Sequence, residues 1–571
     1  MPFRMKLLVI VTTLFITSTT YAAQSVCYKF YGINPEIEKN IFISLKIDNT
    51  HCIKVNPKTS IQQTIKQDKK IIKKAIEPYG YFNPVIQRRL IYRNNAWIAS
   101  YQIFLGTSIQ ISELQIELSG PGQFNKNLLD YIHQFPMKRG DIFTVSNYLN
   151  AQHKLFSIAR NQGYIKVDFQ NKITINPKQH TAVIHIHLVT GNRYYFGNVN
   201  FKSDVYAASF LNRLLTFSRY QPFSSKVLGQ LQQAMENSYY FKSVIIEPQF
   251  DHITKQQVPI DISYTVPKAK TYELGIGYGT LTGPRLSAKM SLRRVTETGQ
   301  HFEAEAKLSS VLSYLSGNYY IPGKNPLNET YFMGANVKKF QPRAGTSVSS
   351  TLSGGYEMKQ TYTRESMTVN YLIDHFKIFS APPPQTSHLF YPDLKFIVYN
   401  ADNIVNPSNG IATTFDLSGA SKNILASTSY AQLNIHAKLI VSPLSFSRII
   451  FRTDLGYTTV QQLSVFPLTK RFFAGGVDSI RGFADSSIGP GRYLEVGSIE
   501  YQNKIHGNVY GAVFYDIGTA ANHFNERLNR GVGVGVVYQS MVGPIKLYLA
   551  KALSKSGRPN SIEFSAGPEF S

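Results

Sequence analysis

Cysteine and tryptophan are almost missing from this 571-residue chain, which holds two cysteines, Cys27 and Cys52, and one tryptophan. Two thiols cannot complete a four-ligand zinc site, and no histidine pair lies close enough in sequence to help. No metal and no cofactor are expected. Acidic residues are scarce, 35 against 60 basic ones, giving a formal net charge of +25. Past the N-terminus there is no run of about 18 apolar residues, so any crossing of a membrane falls to strands rather than helices. Also missing are the GxSxG elbow, the HExxH pair and the phosphate-cradling loop that ends in GK[ST]. Without a nucleophile, a metal site or a positioned acid–base pair, the chain is not expected to be an enzyme.

The N-terminus itself is informative. Arg4 and Lys6 precede the apolar run from Leu7 to Ile16, and small residues follow up to Ala22 and Ala23. A charged start, a short apolar stretch and a small-residue cleavage site read as an export leader over residues 1–23. The alternative is an uncleaved anchor, for which the run is short. Export places Cys27 and Cys52 in an oxidising compartment, where a structural disulfide between them is expected. Export also changes the meaning of the positive charge. Anionic lipid or an acidic partner fits it better than nucleic acid, for which no basic helix or stacking module is present.

From Gln24 to about Lys268 the text repeats with a period of about 80 residues. Each unit opens with a short strand, continues through two helical stretches and closes with two alternating strands. Pro35 opens the first helix, a position where the missing N–H costs nothing. The helix-to-strand junctions PYGYFNPV, NQGYIKVDF and NSYYFKSVII correspond across the units. The reading is three βααββ modules over 24–106, 107–190 and 191–266. Their sheet edges and helix grooves suit the addition of an extended partner strand, and inert spacers are the alternative. His185 and His187 share one face of a strand, which reads as a polar face more readily than as a metal pair.

After Pro267 helical periodicity stops. Segments of about ten alternating residues follow, separated by Gly, Pro, Asn and Ser turns. Some 300 residues at about 18–20 per strand and turn give roughly 14–18 strands, and bacterial barrels favour even numbers. The expected architecture is an α+β head followed by an all-β transmembrane barrel of 16 antiparallel strands over 267–571. A soluble array of β-sandwiches is the alternative. Both ends of this tail pair poorly. Leu274, Ile276 and Tyr278 alternate with Gly275, Gly277 and Gly279, and glycine weakens a strand. The last segment alternates Ile562, Phe564, Ala566 and Phe570 on one face, but Gly567 and Pro568 interrupt it, and proline removes a ladder donor. A barrel closed by these two strands would have a weak seam.

One loop stands out in the tail. RFFAGGVDSIRGFADSSIGPG, from Arg471 to Gly491, is too rich in glycine for a helix and lies between alternating segments. Arg481, with Gly482 and Phe483, sits among small residues and aromatics. A guanidinium there calls for a fixed carboxylate or carbonyl, or else the loop is a solvated hairpin.

The whole mature chain resembles the TamA family, the outer-membrane subunits of translocation and assembly modules, in the insertase superfamily that also holds BamA. The units resemble POTRA domains. The specific marks are GIGYGTLTGPR, RFFAGGVDSIRGFADSSIGP, GSIEYQ, VFYDIG and the ending SAGPEFS. Three head units set aside the superfamily members that carry more, as BamA-like proteins do, or fewer, as two-partner secretion transporters do. The resemblance implies that the loop folds into the barrel and that Arg481 pairs with Asp516 and Glu500. Asp478, three residues away, is a rival partner. Tyr548 stands where the family often has an acidic residue. The resemblance further implies an outer-membrane location in a Gram-negative cell with the head in the periplasm. Its partners would be client outer-membrane proteins, membrane lipid and a TamB-like inner-membrane-anchored protein met by strand addition. Insertion of other barrels, autotransporters among them, would be its task. A phospholipid conduit with the barrel as docking port, and an exoprotein transporter, are the rival functions.

Overall fold

Alternation builds the first head unit. Val26, Tyr28 and Phe30 point one way from the strand Ser25–Tyr31 and meet Ile37 and Ile41 of the helix Pro35–Ser44, with Ile72 and Ile76 of Asp68–Ile76. Each such side chain, fully buried, contributes about 1.5–3 kcal/mol. The Asn34 side chain accepts from the Ile37 N–H at 2.9 Å and caps the helix that Pro35 opens. The computed structural model describes residues 25–48, 51–54, 61–93, 96–279, 283–380, 383–403, 405–557, 559–567 and 569–570. The expected leader, 1–23, lies outside them.

The first sheet runs Cys52–Lys54, Ser25–Tyr31, Ala96–Phe104, Val85–Arg93, with the central pair parallel. The short strand Cys52–Lys54 was not legible in the sequence. It sets Cys52 directly opposite Cys27, and the two are bonded, with Cα atoms 3.9 Å apart. In the second unit Gln110–Ser119 pairs in parallel with Thr181–Val189. The strand expected between helix and closing strand is broken in two, Asp168–Phe169 and Lys172–Asn176. His187 bonds the Ser119 hydroxyl at 2.9 Å, and the described residues hold no cluster of metal-ligating groups. The third sheet orders Ser243–Pro248, Gln257–Thr265 and Tyr195–Phe201.

The described residues form two compact units: those within 1–198, 217–228 and 248–260, and those within 199–216, 229–247 and 261–571. In the second of these, Arg213 donates to the Gly323 carbonyl at 2.8 Å and the Ala207 N–H to the Glu297 carbonyl at 3.0 Å. Parts of the third head unit are thus seated on the turns of the sheet that follows.

That sheet has 16 strands, from Lys270–Gly279 to Asn560–Ala566, each antiparallel to the next. One face alternates exposed apolar residues such as Leu315, Leu352, Met367 and Val513; the other carries buried polar ones such as Asp374, Gln432, Glu500 and Asp516. Apolar outside and polar inside is the pattern of a barrel whose outer face meets lipid. The strands Ser447–Val460 and Tyr493–His506 pair directly, with residues 461–492 between them. Among the described residues, Lys270–Gly279 and Asn560–Ala566 share no backbone ladder.

Candidate functional site

The loop 461–492 folds into the barrel rather than away from it. Phe472–Ala474 pairs with Ile488–Gly491, and Phe472, Ala474, Ile480 and Phe483 pack against Leu494, Val496, Ala520 and Ala552 of the wall. The wall makes room. A Cβ on Gly456 would stand 2.5 Å from the Phe472 ring, and one on Gly531 would stand 2.0 Å from the Arg481 carbonyl oxygen. Gly482 holds φ at +95°, and a Cβ there would lie 2.8 Å from the Ala552 nitrogen. Glycine is required by backbone and by space.

Arg481 is 2% exposed and is held from every side. Its Nε donates to Asp516 Oδ2 at 2.8 Å and its Nη2 to Asp516 Oδ1 at 2.8 Å, a fork on a carboxylate. Its backbone N–H donates to the same Oδ2 at 2.9 Å. Nη1 donates to Glu500 Oε2, and Nη2 also reaches Ser498 Oγ at 3.1 Å. Two neighbouring rings also meet the guanidinium, Phe514 with 3.5 Å to its centroid and Tyr548 with 4.7 Å. The second oxygen of Glu500 accepts from Tyr548 Oη at 2.8 Å and from Gln502 Nε2 at 2.7 Å. A buried guanidinium with two carboxylates, a hydroxyl and two rings has no freedom to move alone. The network rigidifies the loop.

Asp478 takes no hydrogen bond from Arg481 among the described residues. It borders a different cavity, beside Arg452 and Lys438. Tyr548, which broke the sequence pattern, is part of the site: its hydroxyl supplies a hydrogen bond to Glu500 and its ring a face to Arg481. Glu563 was missed as well. On the last strand it accepts the Gly482 N–H at 2.6 Å, tying the loop to the end of the sheet. The signal was there to read in NRGVGVGVV, whose alternate glycines Gly531, Gly533 and Gly535 leave the inner face bare where Arg481, Phe514 and Tyr548 sit.

At the seam, Leu274 and Ile276 are 83% and 91% exposed, and Phe564 is 49% exposed. Gly275 faces Ser287 across the next strand, where a Cβ would stand 2.5 Å from the hydroxyl. Gly277 and Tyr278 belong to the same strand, but their side-chain surroundings and Pro568 lie outside the described residues. Phe570 corrects the sequence reading. It does not continue the outer face of Ile562 and Phe564 but turns inside against Ile440 and Ile450. The alternation ends because the strand ends at Ala566, and Gly567 takes φ of +147°.

Comparisons with known proteins bear on this arrangement. Residues 254–570 match the Omp85 superfamily domain, and residues 28–104 match POTRA domain TamA domain 1. Outer envelope protein 80, chloroplastic, from Arabidopsis thaliana is 29% identical over 124 residues, 20% of this chain. The match spans 16% of that protein's length. BamA from Haemophilus ducreyi lacking POTRA domains 1-3 superposes with a TM-score of 0.66 at 18% identity, covering 80% of this chain and 99% of that one. CdiB from Escherichia coli gives a TM-score of 0.50 at 10% identity, covering 80% and 90%. These two structures share the fold.

Proposed function

The chain belongs to the Omp85 superfamily, with a first head unit of the TamA type, and from that premise we propose that it is an outer-membrane assembly factor that helps other β-barrel proteins insert through its weak seam. The observation that carries the proposal is that, among the described residues, the first and last strands of the sheet are not laddered to one another. Lys270–Gly279 and Asn560–Ala566 share no ladder among the described residues, and Leu274 and Ile276 stand almost fully exposed beside the gap. In hydrocarbon an edge strand has no water to satisfy its N–H and C=O groups. Each backbone hydrogen bond made there is worth about 4–6 kcal/mol relative to none. An incoming strand with the same need is the natural partner, and it adds by main-chain bonds.

The Arg481 network holds the inner side of this gap. It braces Tyr493–His506, Val509–Ala521 and Gly543–Ala552, and through Gly482 and Glu563 it reaches the last strand. The gap is therefore framed by a rigid wall, while the first strand is free to receive a client. Autotransporters are the client class we assign. The head sits in the periplasm of a Gram-negative cell, and the edge strands Cys52–Lys54 and Val85–Arg93 of its first sheet offer the place where a TamB-like protein adds a strand. No covalent chemistry is assigned to the chain.

Bridging the two edges tests this. Ile276→Cys and Phe564→Cys joined by a short bismaleimide would shut the gap, and the bonded Cys27 and Cys52 do not react with maleimide. Loss of client insertion in the bridged protein, with activity kept under a single-ended maleimide, is the expected result. Full activity when bridged would overturn the proposal.

A further inference from the structure

The outer wall of the barrel carries a carboxylate. On the strand Tyr493–His506, Leu494 and Val496 are buried against the folded-in loop, so the alternate residues Tyr493, Glu495, Gly497 and Ile499 face outwards. Leu455 and Thr519 flank Glu495 on the neighbouring strands, and Ile435 lies one strand further. The Glu495 side chain takes no hydrogen bond and no ion pair among the described residues. Hydrocarbon disfavours an ionised side chain on such a wall, and no protein group there compensates it.

Glu495 lies in a groove of about 580 Å³. The rim at the end of the barrel away from Lys270 is aromatic: the Tyr457 and Tyr493 rings are 5.4 Å apart, and those of Tyr493 and Phe524 5.6 Å. Such girdles stand at headgroup depth. The Arg492 guanidinium lies 5.3 Å from the centroid of the same Tyr493 ring. Its Nε donates to the Asn522 carbonyl at 3.0 Å, and its terminal nitrogens take no hydrogen bond among the described residues. In the other direction Ala437, Thr453 and Gly497 form one rung of small residues. A Cβ on Gly497 would meet nothing closer than a methyl of Ile517 at 3.8 Å. Gly456 and Gly531 make room for the loop, whereas Gly497 leaves its space open on the lipid side, as a glycine does where a ligand comes close. The Thr453 hydroxyl is bonded to the Val496 carbonyl at 3.0 Å, which leaves the floor apolar. A second groove of about 390 Å³ continues past this rung between Phe451, Ile499 and Tyr515.

We propose that this groove binds one zwitterionic phospholipid with a primary ammonium headgroup. The ammonium meets Glu495 beside the Tyr457 and Tyr493 rings, the phosphate lies towards Arg492, and an acyl chain runs over Gly497 into the second groove. An ammonium supplies the donor that Glu495 lacks, and aromatic faces favour a cation. A lipid is the occupant because the groove is continuous with the lipid-facing wall and its two charges, of opposite sign, stand at headgroup depth. The site needs only the barrel in its membrane and does not depend on the assembly reading.

The test mixes purified full-length protein in detergent with phosphatidylethanolamine or phosphatidylglycerol of the same acyl chains and counts bound lipid by native mass spectrometry. The wild type is expected to retain one phosphatidylethanolamine at least about fivefold more strongly than phosphatidylglycerol. Glu495→Gln removes that preference and leaves both lipids at the lower level. Gly497→Leu fills the channel and lowers retention of both, and Ala437→Leu, on the same rung, serves if that variant does not fold. Glu495→Gln takes a charge off a lipid-facing wall, so its barrel folds at least as well as the wild type. Heat-dependent gel mobility checks each variant. Equal retention of the two lipids by the wild type, or a preference that survives Glu495→Gln, means annular lipid only and overturns the site. Retention indifferent to both leucine variants overturns the groove as the path of the chain. Copurification of a membrane protein that is lost in Glu495→Gln, without any lipid preference, gives the groove to a protein and overturns the lipid.

Discussion

Gly482 donates its backbone N–H to the Glu563 carboxylate at 2.6 Å, so the residue after the buried arginine is bonded directly to the last strand of the barrel. The folded-in loop and the seam are one structure. Loosening either is expected to loosen the other.

Arg481→Ala leaves Asp516 and Glu500 buried without their shared cation, which costs roughly 3–5 kcal/mol. Faster protease cleavage within residues 461–492 and loss of insertion activity are expected. Arg481→Lys is expected to rescue little, because a point charge cannot reproduce the fork on Asp516 and the contacts with Ser498 and Glu500 together. Wild-type protease resistance in either variant would contradict this account.

Gly531→Ala changes no charge, yet its Cβ would stand 2.0 Å from the Arg481 carbonyl oxygen. The strand would persist and the loop would be pushed out. Cleavage of the loop should rise towards the rate of Arg481→Ala, while the heat-dependent gel mobility of the folded barrel stays as in the wild type. A loop as resistant as wild type would show that the wall yields instead.

The head carries its own titration. Asp68 is buried and accepts from Tyr101 Oη at 2.6 Å; burial, the largest cause, raises its pKa above the ordinary 3.8, while the hydrogen bonds from Tyr101 and Tyr28 and the charge of Arg88 pull the other way. A raised pKa in the folded state means that the stabilising contribution is full below the ordinary carboxylate value and is lost as pH rises through the raised one. Hydrogen-exchange protection of Asp68–Ile76 should therefore fall over that window. Asp68→Asn keeps an acceptor for Tyr101 and should flatten the profile. An unchanged profile in the variant would assign the pH dependence elsewhere.

Cys27 and Cys52 tie the strand Ser25–Tyr31 to Cys52–Lys54 across a separation of 25 residues. Reduction, or Cys27→Ser, is expected to cost about 2–4 kcal/mol of first-unit stability. Exchange in Ser25–Tyr31 should quicken with the barrel strands unaffected. Equal exchange with and without reductant would make the bond dispensable.

Particular residues show where sequence was enough. Alternation and turn spacing bounded the barrel at roughly 14–18 strands, because a lipid-facing sheet must alternate, and the 16 observed fall at the middle of that range. Asp516 and Glu500 were implied by the family resemblance, and the apolar neighbours that flank both agree with an inner face; the structure places Arg481 between them. Tyr548 stood out only as a departure from the family pattern and not as a partner of Glu500, since alternation says which face a residue is on but not which hydroxyl will meet which carboxylate three strands away. Glu563 looked like one more polar alternator. Phe570 was assigned to the wrong face because a period of two holds only while the strand lasts, and Gly567 ends it. The short strand at Cys52 was too brief to leave any period at all.

The central claim is that the first strand receives another protein's strand at the seam. The direct measurement is photo-crosslinking in cells from Leu274 and Ile276, with mass spectrometry of what is captured. Adducts with terminal strands of other outer-membrane barrels are the predicted result. Capture of lipid alone, or of the chain's own Asn560–Ala566 alone, would contradict strand reception and favour a lipid conduit.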